Sequence, residues 1–486
     1  MSAERSLEPR SRENEFVVAI GRDPSILAHA KPDLVITTNE LEGMENIETI
    51  SLASFLHENK AEVEQSIRKL MPLYDTNFLA LLFYDPQNDG ELNEKKQLEN
   101  KYSHIPEEWL AQAASLQDKI HSLILEKAQG RKVVINPYHS AYALPKKWSE
   151  SGFILQSPDA KIAYEFASKM GARNLALNTK MDSGEIVPVR DGEIVDADKV
   201  EETIKKLGGD VFISSDDDPF FSHNTRVNLN RNPEIPKLRE GVRYLVTEWH
   251  TEEDGKQHSP NSQVIIGDSH IEYLGQLDQI IKDNVRYGGN IFPSDSTPEV
   301  QEKIRQYSMA LAREMQAKGY RGFVGFDWIE AQSGVDKGKV WLAEINPRKN
   351  RSTGLLAAIL NHVHGHVSIT DIERRATSGQ PMKQEYAKTE FGQFAQMETY
   401  HPSRPVFVPA DAKDRLLAAG VSFDEKPDPA DGAKLCILNF PKAGTYIYPK
   451  ESANIIRLTS YDQTREKARD GAVKLRALLD KVLNPI

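Results

Sequence analysis

Apolar positions along the chain fall into short runs parted by polar stretches rich in Gly, Pro, Asn and Asp, and their period changes from one run to the next. Residues 16–20 (FVVAI), 33–37 (DLVIT), 49–52 (TISL) and 132–135 read as brief strands. Residues 78–84 (FLALLFY) read as a continuous strand, as in a sheet covered on both faces. Helical spacing fills the gaps. It runs over 53–70, with Phe55, Val63, Ile67 and Leu70, and over 109–127, with Leu110, Ala113, Leu116, Ile120, Leu123 and Leu125. Alternation of this kind predicts an open α/β domain over 16–155, after a short leader, 1–15, expected to be disordered. No G-x-G-x-x-G loop is present, so a dinucleotide-binding fingerprint is absent.

Further on, Ser157 is expected to cap a helix with Pro158 in its first turn, Ile162, Phe166 and Met170 on one face, and Gly171 at its end. Strands are predicted at 211–218 (VFISSDDD) and 244–249 (YLVTEW), a hairpin at 263–266 and 270–274 around Gly267-Asp268, and a turn at Gly288-Gly289. Ser296-Thr-Pro-Glu299 reads as a capping box opening a helix whose stripe is Val300, Ile304, Tyr307, Leu311 and Met315. After Pro402, Pro405 and Pro409, β-type segments at 416–423, 435–440 and 455–459 precede a helix over 461–482. These shifts divide the chain into 16–155, 156–240, 241–400 and a compact α/β unit at 401–486.

At 486 residues several domains are expected. The net charge of −11 argues against a general nucleic-acid surface. Cys436 is the single cysteine, which excludes an intramolecular disulfide and fits a reducing cytoplasm. No apolar run approaches the roughly 20 residues of a membrane span, and no secretory h-region is visible. His250 and His258 lack Cys or His partners at zinc spacing and read as solvated; His362, His364 and His366 read as structural or solvent-facing.

The chemistry concentrates in 323–354. Strands 323–329 (FVGFDWI) and 340–346 (VWLAEIN) flank the polar 331–339 (AQSGVDKGK), as in a hairpin. Alternation puts Gly325, Asp327 and Ile329 on one face of the first strand, and Leu342, Glu344 and Asn346 on one face of the second. Paired antiparallel, Asp327, Glu344 and Asn346 offer oxygen ligands only, which suits Mg²⁺ rather than zinc. Arg348, Lys349 and Arg351 follow at once. Carboxylates beside guanidinium groups suit phosphoryl chemistry, in which metal bridges phosphate oxygens and arginine neutralises developing charge.

The order G-x-x-G-x-D, E-I-N-P-R and a short polar run to Gly354 resembles the closing part of an ATP-grasp ligase. The resemblance covers about 155–400. It implies a pre-grasp α/β domain, two α+β grasp subdomains at 156–240 and 241–400, and a small C-terminal domain that covers the site or forms a homodimer surface. It implies Asp327, Glu344 and Asn346 as ligands of Mg²⁺, or of Mn²⁺ in its place, on the triphosphate of ATP, and Arg348 or Arg351 as the anion stabiliser. Lys161 is the implied phosphate lysine, and Glu248 with Trp249 the implied adenine-holding hinge. Where the family has a strand lysine and a glycine loop, this chain has Ser214, Ser215 and PFFSHNTRV, so Arg226 is the candidate for the missing charge, with Ser222, Asn224 and Thr225 as donors. The implied reaction joins a small-molecule or peptide carboxylate to an amine through an acyl-phosphate, releasing ADP. The order of features resembles pheganomycin-type peptide ligases more than D-alanine–D-alanine ligase. A kinase- or carboxylase-like reaction and a non-catalytic nucleotide binder remain as alternatives.

Overall fold

The structure is a computed structural model of the whole chain, and it describes residues 14–21, 32–37, 48–51, 81–83, 107–137, 144–215, 224–229, 235–249, 258–282, 286–364, 369–377, 391–423, 434–447 and 456–485. Of the expected leader, 1–15, residues 1–13 lie outside the described residues, and Glu15 already opens a strand, Glu15–Ile20. The expected helix at 53–70 lies outside them too, as do residues 216–218 of the strand expected at 211–218. Of the expected loop at 219–227, residues 219–223 lie outside, while 224–227 lie in a strand, Asn224–Asn228, and not in a loop.

The short runs near the N-terminus form a parallel five-stranded sheet. Its strands are β1 (Glu15–Ile20), β2 (Leu34–Thr37), β3 (Glu48–Ser51), β4 (Lys132–Pro137) and β5 (Ile154–Leu155), in the order β3-β2-β1-β4-β5. Helix α1 (Glu107–Ala128) covers it with Leu116, Ile120 and Ile124; Leu125, expected in the stripe, is exposed. The predicted strand at 78–84 is a correction: its described part, Leu81–Phe83, is a 3₁₀ turn with Leu82 and Phe83 in the same core. A short, wholly apolar run has no period that separates strand from buried turn. Helix α2 (Lys146–Glu150) adds Trp148 to this core.

The single helix expected from Ser157 is two. Asp159, not Ser157, caps α3 (Ala160–Ala167), its side chain accepting from Ile162 N; Ser168 caps α4 (Lys169–Asn178), accepting from Gly171 N. Gly171 therefore lies inside a helix rather than at an end. An antiparallel four-stranded sheet follows: β6 (Gly192–Asp196), β7 (Asp210–Ser215), β8 (Asn224–Asn228) and β9 (Arg243–Glu248), ordered β6-β9-β7-β8. Helix α5 (Val200–Lys206) covers one face through Val200 and Ile204 against Val211, Ile213 and Val246.

The largest sheet begins with β10 (Ser259–Ile266), β11 (Ile271–Lys282), β12 (Arg286–Phe292), β13 (Gly322–Glu330) and β14 (Val340–Asn346). The hairpin around Gly267 is present, but its strands run further than expected because buried Ser259, Asn261 and Gln263 belong to β10. Gly288-Gly289 is no turn. It lies within β12, and a Cβ on Gly289 would stand 2.0 Å from Met397 O, so glycine lets β12 pair closely with the next strand. Helix α6 (Pro298–Ala317) is capped by Thr297, while Ser296, the expected cap, bonds Glu330 instead. Its stripe packs on one face of the sheet with Val264, Val324, Phe326 and Trp328. Helices α7 (Thr353–His364) and α8 (Ile369–Thr377) pack on the other with Ile265, Leu277 and Phe323.

The sheet continues past residue 400. It takes in β15 (Phe394–Thr399), β17 (Val421–Ser422), β18 (Lys434–Leu438) and β20 (Arg457–Asp462), giving nine strands ordered β14-β13-β10-β11-β12-β15-β20-β18-β17. Strands β16 (Val406–Phe407), β19 (Tyr446–Ile447) and β21 (Asn484–Pro485) form a small separate sheet. Helix α9 (Ala412–Ala418) takes Leu416 out of the predicted β segment, and α10 (Arg465–Val482), capped by Thr464, starts after Tyr461, which belongs to β20. Hydrogen bonding from β15 to β20 thus crosses the expected 400/401 boundary. Among the described residues no helix is long and apolar enough to cross a membrane.

His258, read as solvated, is mostly enclosed just before β10. Its Nδ1 lies 2.9 Å from Glu330 Oε2 and its Nε2 3.3 Å from Asp278 Oδ2. Ser294 Oγ, Asp295 N and Arg465 Nη2 also bond Asp278, which links α10 to the cluster. Burial opposes the imidazolium, but bonds to Asp278 and Glu330 outweigh it and push His258 up to about 9. A raised histidine stabilises the fold below its unfolded value near 6.5, and that contribution is lost as pH rises through about 9. At about 1.4 kcal/mol per pH unit the loss is on the order of 3 kcal/mol. Urea midpoints from pH 6.5 to 9.5 should therefore fall more steeply for the wild type than for His258→Gln; parallel curves would refute this coupling.

Candidate active site

Strands β13 and β14 pair antiparallel with Gly325 opposite Asn346 and Asp327 opposite Glu344. The alternation anticipated from the sequence thus brings the three candidate ligands side by side. One detail differs. The register slips between Asp327 and Trp328, so the exposed Ala343 is an extra residue in β14. The bulge turns Leu342 into the core with Trp328, away from the face that carries Glu344.

Asp327 is held on both oxygens: Asn261 Nδ2 donates to Oδ1 at 2.6 Å and Asn346 Nδ2 to Oδ2 at 2.9 Å. Burial, and then the charge of Glu344, push its carboxyl up to about 6, against bonds from Asn261 and Gln279 and the charge of Lys169. Lys169 is buried at the start of α4, with Nζ 3.0 Å from Glu344 Oε1. Two carboxylates and an amide oxygen form a hard, all-oxygen donor set, and a dication would relieve the repulsion that raises Asp327; this fits Mg²⁺. Among the described residues no group of three or more His, Cys, Asp or Glu is gathered for a metal, so the amide is part of any ligand set here.

The floor beside this cluster is a chain of buried polar groups on β10 and at the start of α7. Ser352 Oγ donates to Asn261 Oδ1 (3.0 Å), Gln263 Nε2 to Ser352 Oγ (2.8 Å), Thr353 Oγ1 to Gln263 Oε1 (2.8 Å) and Asn350 N to Thr353 Oγ1 (2.8 Å). Asn350 lies across β13 at Gly325, where an added Cβ would fall 1.8 Å from its Nδ2. This is why glycine stands two residues before Asp327.

Arg348 follows directly. Its backbone N–H bonds Asn346 O at 2.8 Å, its Nη1 reaches Lys349 O at 3.3 Å, and its Nε is buried without a partner. The guanidinium of Arg351 lies 5.5 Å from the Tyr287 ring centre. Between them, Lys349 turns inward to pair with Glu373 of α8 and donates to Asn136 Oδ1 at 3.0 Å, at the carboxyl end of β4. The arginine-bearing loop is thereby tied to the N-terminal sheet.

The other candidates fall elsewhere. Lys161 is exposed on α3, and the lysine that reaches the carboxylates is Lys169. Arg226 makes a two-pronged bond to Asp210 (3.0 and 2.8 Å) and lies 4.9 Å from the Trp249 ring centre, so its charge is already answered. Trp249 is buried against Phe212, and its backbone N–H is taken by Asp210 O at 3.0 Å, so that donor is not free for a base. Glu248 ends β9, its carbonyl 3.3 Å from Arg190 Nη1. Sequence reasoning missed Lys169, Asn261, Gln263 and Arg190. Asn261 and Gln263 lie in a polar run, 259–263 (SPNSQ), that reads as loop from sequence and carries no alternation marking it as buried strand.

No family model and no curated protein matches the sequence. Solved structures do match its fold. N5-carboxyaminoimidazole ribonucleotide synthetase in its ADP complex is 13% identical, with a TM-score of 0.54 over 96% of this chain and 97% of the other. The biotin carboxylase domain dimer of Hydrogenobacter thermophilus 2-oxoglutarate carboxylase, with MgADP, ADP and bicarbonate, is 14% identical, with a TM-score of 0.57 over 96% and 89%. N5-carboxyaminoimidazole synthase from Aspergillus clavatus, with ADP and 5-aminoimidazole ribonucleotide, is 12% identical, with a TM-score of 0.53 over 96% and 99%. At these identities the likeness is one of fold.

Proposed function

We propose that this chain, which has the ATP-grasp fold of those structures, is an ATP- and Mg²⁺-dependent, ADP-forming ligase that joins a carboxylate to an amine. The observation that carries the reading is the pairing of Asp327, Glu344 and Asn346 on β13 and β14, with Lys169 on Glu344 and Arg348 next along the chain. The ADP and MgADP bound in the similar structures support the choice of nucleotide and metal.

Mg²⁺ would be held by Asp327, Glu344 and Asn346, and when bound it neutralises triphosphate oxygens. Lys169 adds a fixed positive charge on the Glu344 side. An oxygen of the substrate carboxylate attacks the γ-phosphorus, and the bond to the β–γ bridging oxygen breaks with its electron pair leaving on ADP. The amine nitrogen then attacks the acyl carbon of the acyl-phosphate. The tetrahedral oxyanion collapses with loss of phosphate, and the nitrogen releases its proton to solvent. Arg348, whose Nε has no partner among the described residues, would meet the oxyanion, with Arg351 beside it.

Arg348→Lys tests that role. A point charge cannot reproduce the planar fork, so kcat should fall roughly 10–100-fold while the KM for ATP stays within about threefold. A loss confined to KM would assign Arg348 to binding alone.

A second reading replaces the organic acid with bicarbonate, favoured by full-length similarity to N5-carboxyaminoimidazole ribonucleotide synthetase. ADP release from Mg²⁺·ATP against amino acids, short peptides and bicarbonate separates the two. Release dependent on one acid and one amine, with the coupled product found by mass, supports ligation. Release with bicarbonate alone supports carboxylation. Absence of both release and nucleotide binding would remove the enzyme reading.

A further inference from the structure

Arg190 stands where the two grasp sheets meet. Leu342 N donates to Pro188 O at 2.9 Å and Val189 pairs in parallel with Leu342, so this segment runs along the free edge of β14, two residues from Glu344. The backbone there is pinned. Arg173 of α4 donates to Arg190 O (2.7 Å) and Gly192 O (2.9 Å), and Glu248 N donates to Asp191 O at 2.9 Å.

The Arg190 side chain turns toward the small sheet, its guanidinium carbon 5.6 Å from the Trp249 ring centre. It makes one long bond, Nη1 to Glu248 O at 3.3 Å. Among the described residues Nε and Nη2 have no partner, although Arg190 is only 6% exposed; Trp249, 8% exposed, leaves Nε1 without a partner there as well. Three donors are therefore buried together without acceptors, which is costly unless a ligand supplies them. Burial pushes the guanidinium down to about 9, against the charge of Glu248, which only partly offsets it. Arg226, over the same ring, shows the contrast, since Asp210 satisfies it.

We propose that Arg190 and the Trp249 indole N–H form an anion-recognition pair at the seam between the two sheets, and that the anion is a phosphate group of the bound nucleotide. This rests on the nucleotide reading above and deepens it. The pair lies at the end of β9, on the face of the small sheet turned away from α5, where Phe212 and Arg226 also lie. On that face β7 ends in Ser214, which carries no charge. A phosphate offers several acceptors to the three unpartnered donors, and negative charge beyond the partial compensation from Glu248. A substrate carboxylate shares that chemistry, and the experiment separates the two.

The test is calorimetric titration of the full chain, with Mg²⁺ held constant, by ADP, adenosine, pyrophosphate and acetate. Arg190→Gln should weaken ADP and pyrophosphate at least tenfold and leave adenosine within twofold. Trp249→Phe, which keeps the ring and removes one donor, should weaken ADP three- to tenfold, and Arg190→Lys should fall between. Without ligand, Arg190→Gln should melt no lower than the wild type, because a buried and only partly compensated charge has been removed. Equal ADP affinity in the wild type and Arg190→Gln would overturn the proposal while leaving the nucleotide site intact. Parallel losses of ADP and adenosine would mark a structural role and overturn it too. Loss of acetate binding alone would reassign the pair to the acid substrate. If the wild type binds no ADP, the nucleotide reading fails and this proposal with it.

Discussion

Asp327→Asn should reduce ADP release by roughly 10²–10³-fold or more, because the substitution removes the charge on which the proposed dication at β13 and β14 would depend. The fold should survive it. An Asn at 327 offers one acceptor where the carboxylate answered both Asn261 and Asn346, a loss of about 1 kcal/mol. Against that, the burial of a charge beside Glu344, which raises the Asp327 carboxyl, is relieved. Glu344→Gln should be equally inactive but less stable, since it strands the buried Lys169 without its counter-ion, at a cost of roughly 1–3 kcal/mol. Turnover and urea midpoints of both variants provide the check. Wild-type activity in both would sink the metal assignment.

The largest effect on stability is expected at Lys349. Its side chain and that of Glu373 are each 2% exposed, and they pair with one another. Burial raises the Glu373 carboxyl even though Lys349 and Asn136 pull it down, so the pair is held together against a substantial desolvation cost. Lys349→Met should cost about 3–5 kcal/mol, because it leaves an uncompensated buried acid. Lys349→Met with Glu373→Leu should recover most of that loss, since an apolar pair of similar volume replaces an ionic one. Activity should not recover with it. Lys349 also bonds Asn136 of the N-terminal sheet and so positions the loop bearing Arg348. A double variant as unstable as the single one, measured by urea midpoint, would show that the cost lies in packing rather than in charge.

Both expectations rest on residues that the chain places close together only after folding, and the two differ in how visible they were beforehand. The Asp327–Glu344–Asn346 set was legible. Two apolar strands with a nine-residue polar link between them leave little freedom of register, and side-chain alternation then aligns the polar positions on one face. The bulge at Ala343 was not legible, because an extra residue changes neither composition nor local period. Helices α1 and α6 were readable from period alone, whereas their exact caps and the division of α3 from α4 depended on which of several adjacent Ser, Thr and Asp residues turned inward.

The polar half of the site escaped for one physical reason. Chain pattern reports on neighbours within about one helical turn or one strand pleat, and it reads a lone polar residue as exposed. Lys349 meets Asn136 across 213 residues, and Gln263 meets Thr353 across 90. His258, placed in solvent by composition, is enclosed by Asp278 and Glu330 from two other strands. Lys169 rather than Lys161 reaches Glu344 because α3 breaks at Ser168 and α4 sets off anew. The sequence by itself determined the β13–β14 hairpin, the principal helices and the acidic pair, which follow from period and residue type. Tertiary structure alone decided which cations stand against those acids and which buried polar groups find partners, because charges and hydrogen bonds act over a few ångströms in space and not along the chain.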